Sequence, residues 1–290
     1  MKKIFLIIIV CILLFLSGCN TKYKRIDFNQ QSLDGEIERY INAETAVINT
    51  VSADLPGQIP MYKIYGKEIT AQDVELVQQK LKTATAVTSR KTIKHESNQL
   101  DGWFADFGTG TFTMSEKELE RKAWETLRSL TFLEGEYEYS GIRGRDTISK
   151  SDGEHTTRVL VSFYRQLDGV RVVGNDRCDM WFNDWGLVEI HVAQYRYEKA
   201  GTINMVSLDD AKQQIKTPDS FTMDNLETLK SPIVNTLQVE NINLRLVNQA
   251  SEGCTILQPI YVFSGAAAFT DSTKTGFTSI VIAIPKSYTK

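Results

Sequence analysis

Phe163-Tyr164-Arg165-Gln166-Leu167-Asp168-Gly169-Val170-Arg171-Val172-Val173-Gly174 is the stretch on which the fold turns. Val159, Val161 and Phe163 share one face of a strand with period two. Asp168-Gly169 is a hairpin dipeptide, because glycine takes the positive φ that a tight turn needs. Val170 to Val173 form a short apolar return strand that stops at Gly174. Further on, Cys178, Met180 and Phe182 alternate with Asp179, Trp181 and Asn183. Asn183-Asp184-Trp185-Gly186 then turns the chain into Leu187 to Val192. The pattern predicts antiparallel hairpins.

Outward from this stretch the alternation recurs. Tyr137 and Tyr139 alternate with Glu136 and Glu138, and Ile242, Leu244 and Leu246 with Asn241, Asn243 and Arg245. Ile256 to Phe263 and Phe277 to Ile284 read as closing strands. Helix starts recur too: Thr70 with Asp73, Ser115 with Glu118, and Ser207 with Asp210, each after an apolar residue. A cap hydroxyl accepts from an unpaired amide of the first turn, and the acid reaches back to the cap. Glu is longer than Asp, so the middle copy is expected to make the best box. Leu119, Ala123, Trp124, Leu127 and Leu130 then line one helical face. Thr217-Pro218 cuts the third helix short. Ile37, Ile41 and Ile48 suggest another short helix over 36–50. The expected class is α+β: repeated units of a helix packed on an antiparallel β-sheet, dividing as 59–113, 114–200 and 201–290.

The 163–174 pattern, followed by a second strand, a glycine turn at Gly186 and a closing strand, resembles PepSY-type domains. These occur in protease propeptides and exported regulatory proteins. Gln258-Pro259-Ile260-Tyr261-Val262-Phe263 resembles the last strands of the YycH/YycI group, membrane-attached extracytoplasmic proteins that restrain a sensor kinase. The resemblance implies that 114–200 and 201–290 are PepSY-like units. It also implies a protein that acts by binding an envelope partner, a sensor ectodomain or a secreted protease. The expected partner surface is Phe163, Tyr164, Arg165, Asp168 and Val172, with Trp181 and Trp185 on the following hairpin.

At the N-terminus, Lys2 and Lys3 precede thirteen apolar residues, Ile4 to Leu16, and Leu16-Ser17-Gly18-Cys19 closes the run. This is the anatomy of a secretory signal. Its exit resembles the lipobox of bacterial lipoproteins, in which the cysteine receives a diacylglycerol and the peptide is cut before it. The resemblance implies a signal peptide over 1–18, a lipidated Cys19, and a tether and linker over 19–58. A spanning helix takes about 20 apolar residues, so this run is too short to be one. More than one acyl chain gives stable anchoring, on the extracytoplasmic face of the cell membrane. Removing 18 residues from 290 leaves 272, and losing Lys2 and Lys3 takes the formal charge from −3 to −5. An exported, mildly acidic chain is a poor nucleic-acid binder.

Residues fit for chemistry are scattered. His95, His155 and His191 stand apart, with no H-E-x-x-H pair, and no G-x-S-x-G or C-x-x-C occurs. Gly108-Thr109-Gly110 lacks the third glycine of a dinucleotide loop. Asn175, Asp176, Asp179, Asn183 and Asp184 offer oxygens for Ca²⁺, with solvated turns the plainer reading. Glu136 and Glu138 are either a hydrolytic carboxylate pair or a solvated strand face. Trp103, Phe104, Phe107 and Phe112, near Trp124, are a binding platform or an interface core. Cys178 and Cys254 are a candidate disulfide or two buried thiols. No catalytic residue, metal or cofactor is expected. The expected function is a lipid-anchored binding or regulatory protein. A cell-wall-acting hydrolase or a small-ligand-binding lipoprotein is the alternative.

Overall fold

The computed structural model describes residues 41, 44–81, 91–104, 112–224, 233–250 and 254–285. The signal stretch, Cys19, Phe107 and Gly108 to Gly110 lie outside them. The elements are β1 (Ala46–Asn49), β2 (Gln58–Gly66), α1 (Ala71–Lys80), β3 (Lys91–Glu96), β4 (Gln99–Phe104), α2 (Glu116–Ser129) and β5 (Glu136–Lys150). After them come β6 (Gly153–Leu167), β7 (Val170–Gly174), β8 (Arg177–Asn183), β9 (Gly186–Ala193), β10 (Tyr195–Asn204) and α3 (Leu208–Gln213). The chain closes with β11 (Ser220–Met223), β12 (Val234–Asn248), β13 (Gln258–Phe269) and β14 (Lys274–Ile282).

Repeated helix-on-sheet units are not what forms. Twelve strands make one mixed sheet in the order β11-β14-β13-β12-β7-β6-β8-β9-β4-β3, with β1 beside β12 and β5 beside β6. β2 and β10 pair with each other in a separate ribbon. The physical reason is the short strand β7. After the Asp168-Gly169 turn it pairs with β6 only through Arg171 and Val170, then runs parallel to β12, Val172 opposite Leu246. One strand thus fuses the two expected sheets. Within the expected helix over 36–50, Ala46–Asn49 is instead a strand parallel to β12, with Val47 opposite Leu237, while 36–40, 42 and 43 lie outside the described residues. β-branched Val47 and Ile48 suit an edge position better than a helix.

The three caps do form. Ser115 and Ser207 accept from the amides of Glu118 and Asp210. The complete reciprocal box is at Thr70, whose own amide donates to Asp73 at 2.8 Å. The shorter acid therefore closes the better box, against expectation.

Most of both cores lies on one face of the sheet; Val247, Ile260 and Ile282, at one end of the other face, are buried as well. On one half, Val77 of α1 and Leu119, Ala123 and Leu127 of α2 pack on Val161, Phe163, Met180 and Ile190. Trp124 meets Phe163 edge-on at 4.8 Å. On the other half, Tyr62 and Ile203 of the ribbon and Ala211 of α3 pack with Leu237, Phe263 and Val281. The opposite, outer face is lined by the intervening residues of each strand.

The halves meet at a buried polar joint. Gly174 has φ +98°, and a Cβ there would lie 2.3 Å from the Asn248 carbonyl oxygen, so only glycine fits. The Asn175 amide donates to that same oxygen at 3.2 Å. The Tyr197 hydroxyl donates to Asp176 at 2.5 Å and accepts from Asn248 Nδ2 at 2.9 Å. Burial pushes the Asp176 carboxyl up to about 6, although Tyr197 and Arg165 pull the other way.

Candidate functional site

The outer face of the β6–β8–β9–β4 half is where polar side chains converge. Register sets Ser162, Asp179, His191 and Asp101 side by side on successive strands. The neighbouring row is Leu160, Trp181, Glu189 and Trp103. His191 Nδ1 lies 2.7 Å from Asp101 Oδ1, and Nε2 lies 2.6 Å from Glu189 Oε1. With a carboxylate at each nitrogen, both ring nitrogens donate and the ring is an imidazolium. The Glu189 bond, opposed by burial and helped by Asp101, lifts His191 to about 9. Burial pushes Glu189 up, but His191 and Arg158 outweigh it and hold its carboxyl below the usual range.

Arg158 extends the chain of charges. It donates to Glu189 and to Asp146 Oδ2, the latter at 2.5 Å. Its guanidinium lies 4.3 Å from the centre of the Trp181 ring, so the aromatic supports it from beneath. Asp146, Arg158, Glu189, His191 and Asp101 together reach from β5 to β4. Beside them, Asp179 accepts from Ser162 Oγ at 2.6 Å and from Arg177 Nε at 2.8 Å. A cleft of about 570 Å³ opens between Gln99, Asp101, Arg177, Asp179 and His191, with Asn175 at its end. Ser162 donates to Asp179 and not to His191, so the two are not a nucleophile and its base.

Three of the seven residues of the expected partner surface are inaccessible. Phe163 and Val172 are fully buried, and Tyr164 is buried beneath the Arg171 guanidinium. Period-two alternation does not show which side of a strand the helices cover. Arg165 lies over the Tyr137 ring and Asp168 sits in its turn, bonded to Tyr62 and Lys199. Trp181 lies on the outer face, and Trp185 is exposed at the β8–β9 turn. The candidate Ca²⁺ oxygens are dispersed. Asp176 is in the joint, Asn183 accepts from the Trp185 amide, and Asp184 accepts from Thr113. Glu138 pairs with Arg171. Cys178 and Cys254 are both buried thiols in different cores, so the candidate disulfide is not formed. Among the described residues, no group of three His, Cys, Asp or Glu is arranged to hold a metal.

Asp101, Arg158 and Asp146 were missed by sequence reasoning. Glu189 and His191, two apart on a strand, were the legible signal. No known family model matches this chain, and no curated protein is similar to it in sequence.

Proposed function

We propose that this chain is a lipid-anchored extracytoplasmic binding protein that acts on another envelope protein. The N-terminal run ending at Cys19 supplies the anchor in this reading. The observation that carries the binding half is the charged outer face beside its cleft. Its side chains are already tied to one another, from Asp146 through Arg158, Glu189 and His191 to Asp101. A surface so ordered loses little side-chain freedom when a partner docks. It presents both signs of charge in a fixed pattern, which favours a protein with a complementary pattern. His191 is a fixed charge here rather than a base, since its ring stays protonated up to about 9.

The test is a photo-cross-linking residue at Arg177, which is half exposed at the cleft. Irradiation of intact cells followed by mass spectrometry should capture one envelope protein, and Glu189→Ala should abolish the capture. Labelling of glycan alone would reject the reading.

A further inference from the structure

Gly174, Asn175 and Arg177 line one end of the cleft, and Asp176 between them does not. Its side chain points into the joint instead, where the residue is 2% exposed. Asp176 Oδ2 accepts from the Tyr197 hydroxyl of β10. The direction of that bond is fixed from the far side. Asn248 Oδ1 accepts from the Ala250 amide at 2.9 Å, so its Nδ2 is turned to Tyr197 and the phenol proton is left for Asp176. The same Asn248 holds Gly174 by register and the Asn175 amide by its carbonyl oxygen. A short segment of cleft wall is therefore anchored to the β12 half by its backbone and by a carboxyl–phenol–carboxamide chain.

The surroundings compensate a charge on that carboxyl poorly. Tyr197 is its one hydrogen-bond donor among the described residues. Arg165 of β6 attracts it, but the guanidinium lies over the Tyr137 ring, and among the described residues no salt bridge joins the two. Tyr137 of β5 and the Cys178 thiol of β8 also face it, both kept uncharged by burial. A carboxylate accepts at up to about four sites, so one neutral donor offsets a small part of the cost of burying it. The protonated carboxyl keeps the Tyr197 bond and has no charge to bury. We propose that Asp176 is a proton-operated catch on the cleft: protonated, it holds the 174–177 wall against the joint, and ionised, it releases that wall. Burial raises the carboxyl to about 6, so the catch works in a mildly acid range. His191, at about 9, and Glu189, below its ordinary range, titrate outside it. The inference rests on the cleft being the binding surface and adds its regulation. A fixed wall costs less to order when a partner docks, so binding is tighter at pH 5.0 than at pH 7.5.

Amide hydrogen exchange of 174–177, measured by mass spectrometry on the full chain and corrected for the intrinsic rate at each pH, tests the catch directly. Opening should be about tenfold more frequent at pH 7.5 than at pH 5.0, the ratio given by a carboxyl at about 6 when closed and 3.8 when open. Amides of Leu119 to Leu127 in α2 should change less, which separates release of the wall from unfolding. Asp176→Asn keeps the shape and removes the proton site, so it should abolish the difference. Tyr197→Phe is the second variant. It removes a donor to the ionised form and should move the midpoint above 6. Photo-cross-linking at Arg177 in native membranes should capture more partner at pH 5.0 in the parent, and equal amounts at both pH values in Asp176→Asn. Equal exchange at the two pH values overturns the inference, as does an Asp176→Asn chain that keeps the parent's difference. A tenfold difference with no protein captured at either pH supports the catch and rejects the binding reading.

Discussion

On the β6–β8–β9–β4 half of the outer face, alternate positions hold Arg158, Asp179, Glu189 and His191. On the β12–β13–β14 half, the equivalent positions hold Asn241, Asn243, Ser264, Ala266 and Thr278. Both halves belong to one sheet and pack equally apolar inner faces. The inner face is constrained by packing, whereas the outer face is free to diverge. The charged half costs much to dehydrate unless its partner supplies matching groups. The β12–β13–β14 half carries fewer charges in its central rows and sheds water there at less cost. One sheet therefore carries two outer surfaces that differ in charge and in the cost of dehydration.

The strongest way to break this comparison is to part the halves. Gly174→Ala forces an L side chain into φ +98° and onto the Asn248 oxygen. It should cost about 3 kcal/mol or more in urea unfolding, and the charged face should lose its partner capture with the fold. Next is Glu189→Ala, which strips Arg158 and His191 of their shared carboxylate. A loss of about 2–3 kcal/mol is expected, since the Glu189–Arg158 pair is mostly shielded from solvent.

Asp176→Asn tests the joint by pH. The Asp176 carboxyl sits near 6 in the fold against an ordinary 3.8. The folded state therefore holds the proton more tightly. The stability from this group is complete below about pH 4 and is lost as pH climbs through 6. The parent should gain stability between pH 7.5 and 5, and Asp176→Asn should flatten that slope. At pH 7.5 the variant should be more stable by about 2 kcal/mol in thermal unfolding. The smallest effect belongs to His191→Gln. Raised to about 9, His191 contributes stability fully below 6.5 and loses it as pH passes 9. The ring is 42% exposed, so the expected loss is only about 1 kcal/mol at pH 6. The NMR titration of His191 should have its midpoint near 9, with a lower value at high salt.

Local chemistry was legible in the sequence. Thr70, Ser115 and Ser207 cap helices because a hydroxyl and an acid three residues on act within a single turn. The strands at Val159 to Phe163 and Cys178 to Phe182 were legible by alternation. Which strands pair across the chain was not, because β4 with β9, β2 with β10 and β7 with β12 are joined by contacts distant in sequence. The same limit applies to the site. Glu189 and His191 share a face by their spacing, but Asp101 reaches His191 from 90 residues away.

Cys178 and Cys254 lie in separate cores, and burial pushes the Cys178 thiol well above its ordinary range. A thiol that stays protonated in an apolar interior is slow to react. In the proposed extracytoplasmic setting, oxidants would therefore reach these two thiols only while the chain is still unfolded. A bond made then would link two residues that the finished molecule keeps apart, and would trap the chain. In that setting, completion of the two cores would be a race against oxidation, with the native state as the shelter that the winner reaches.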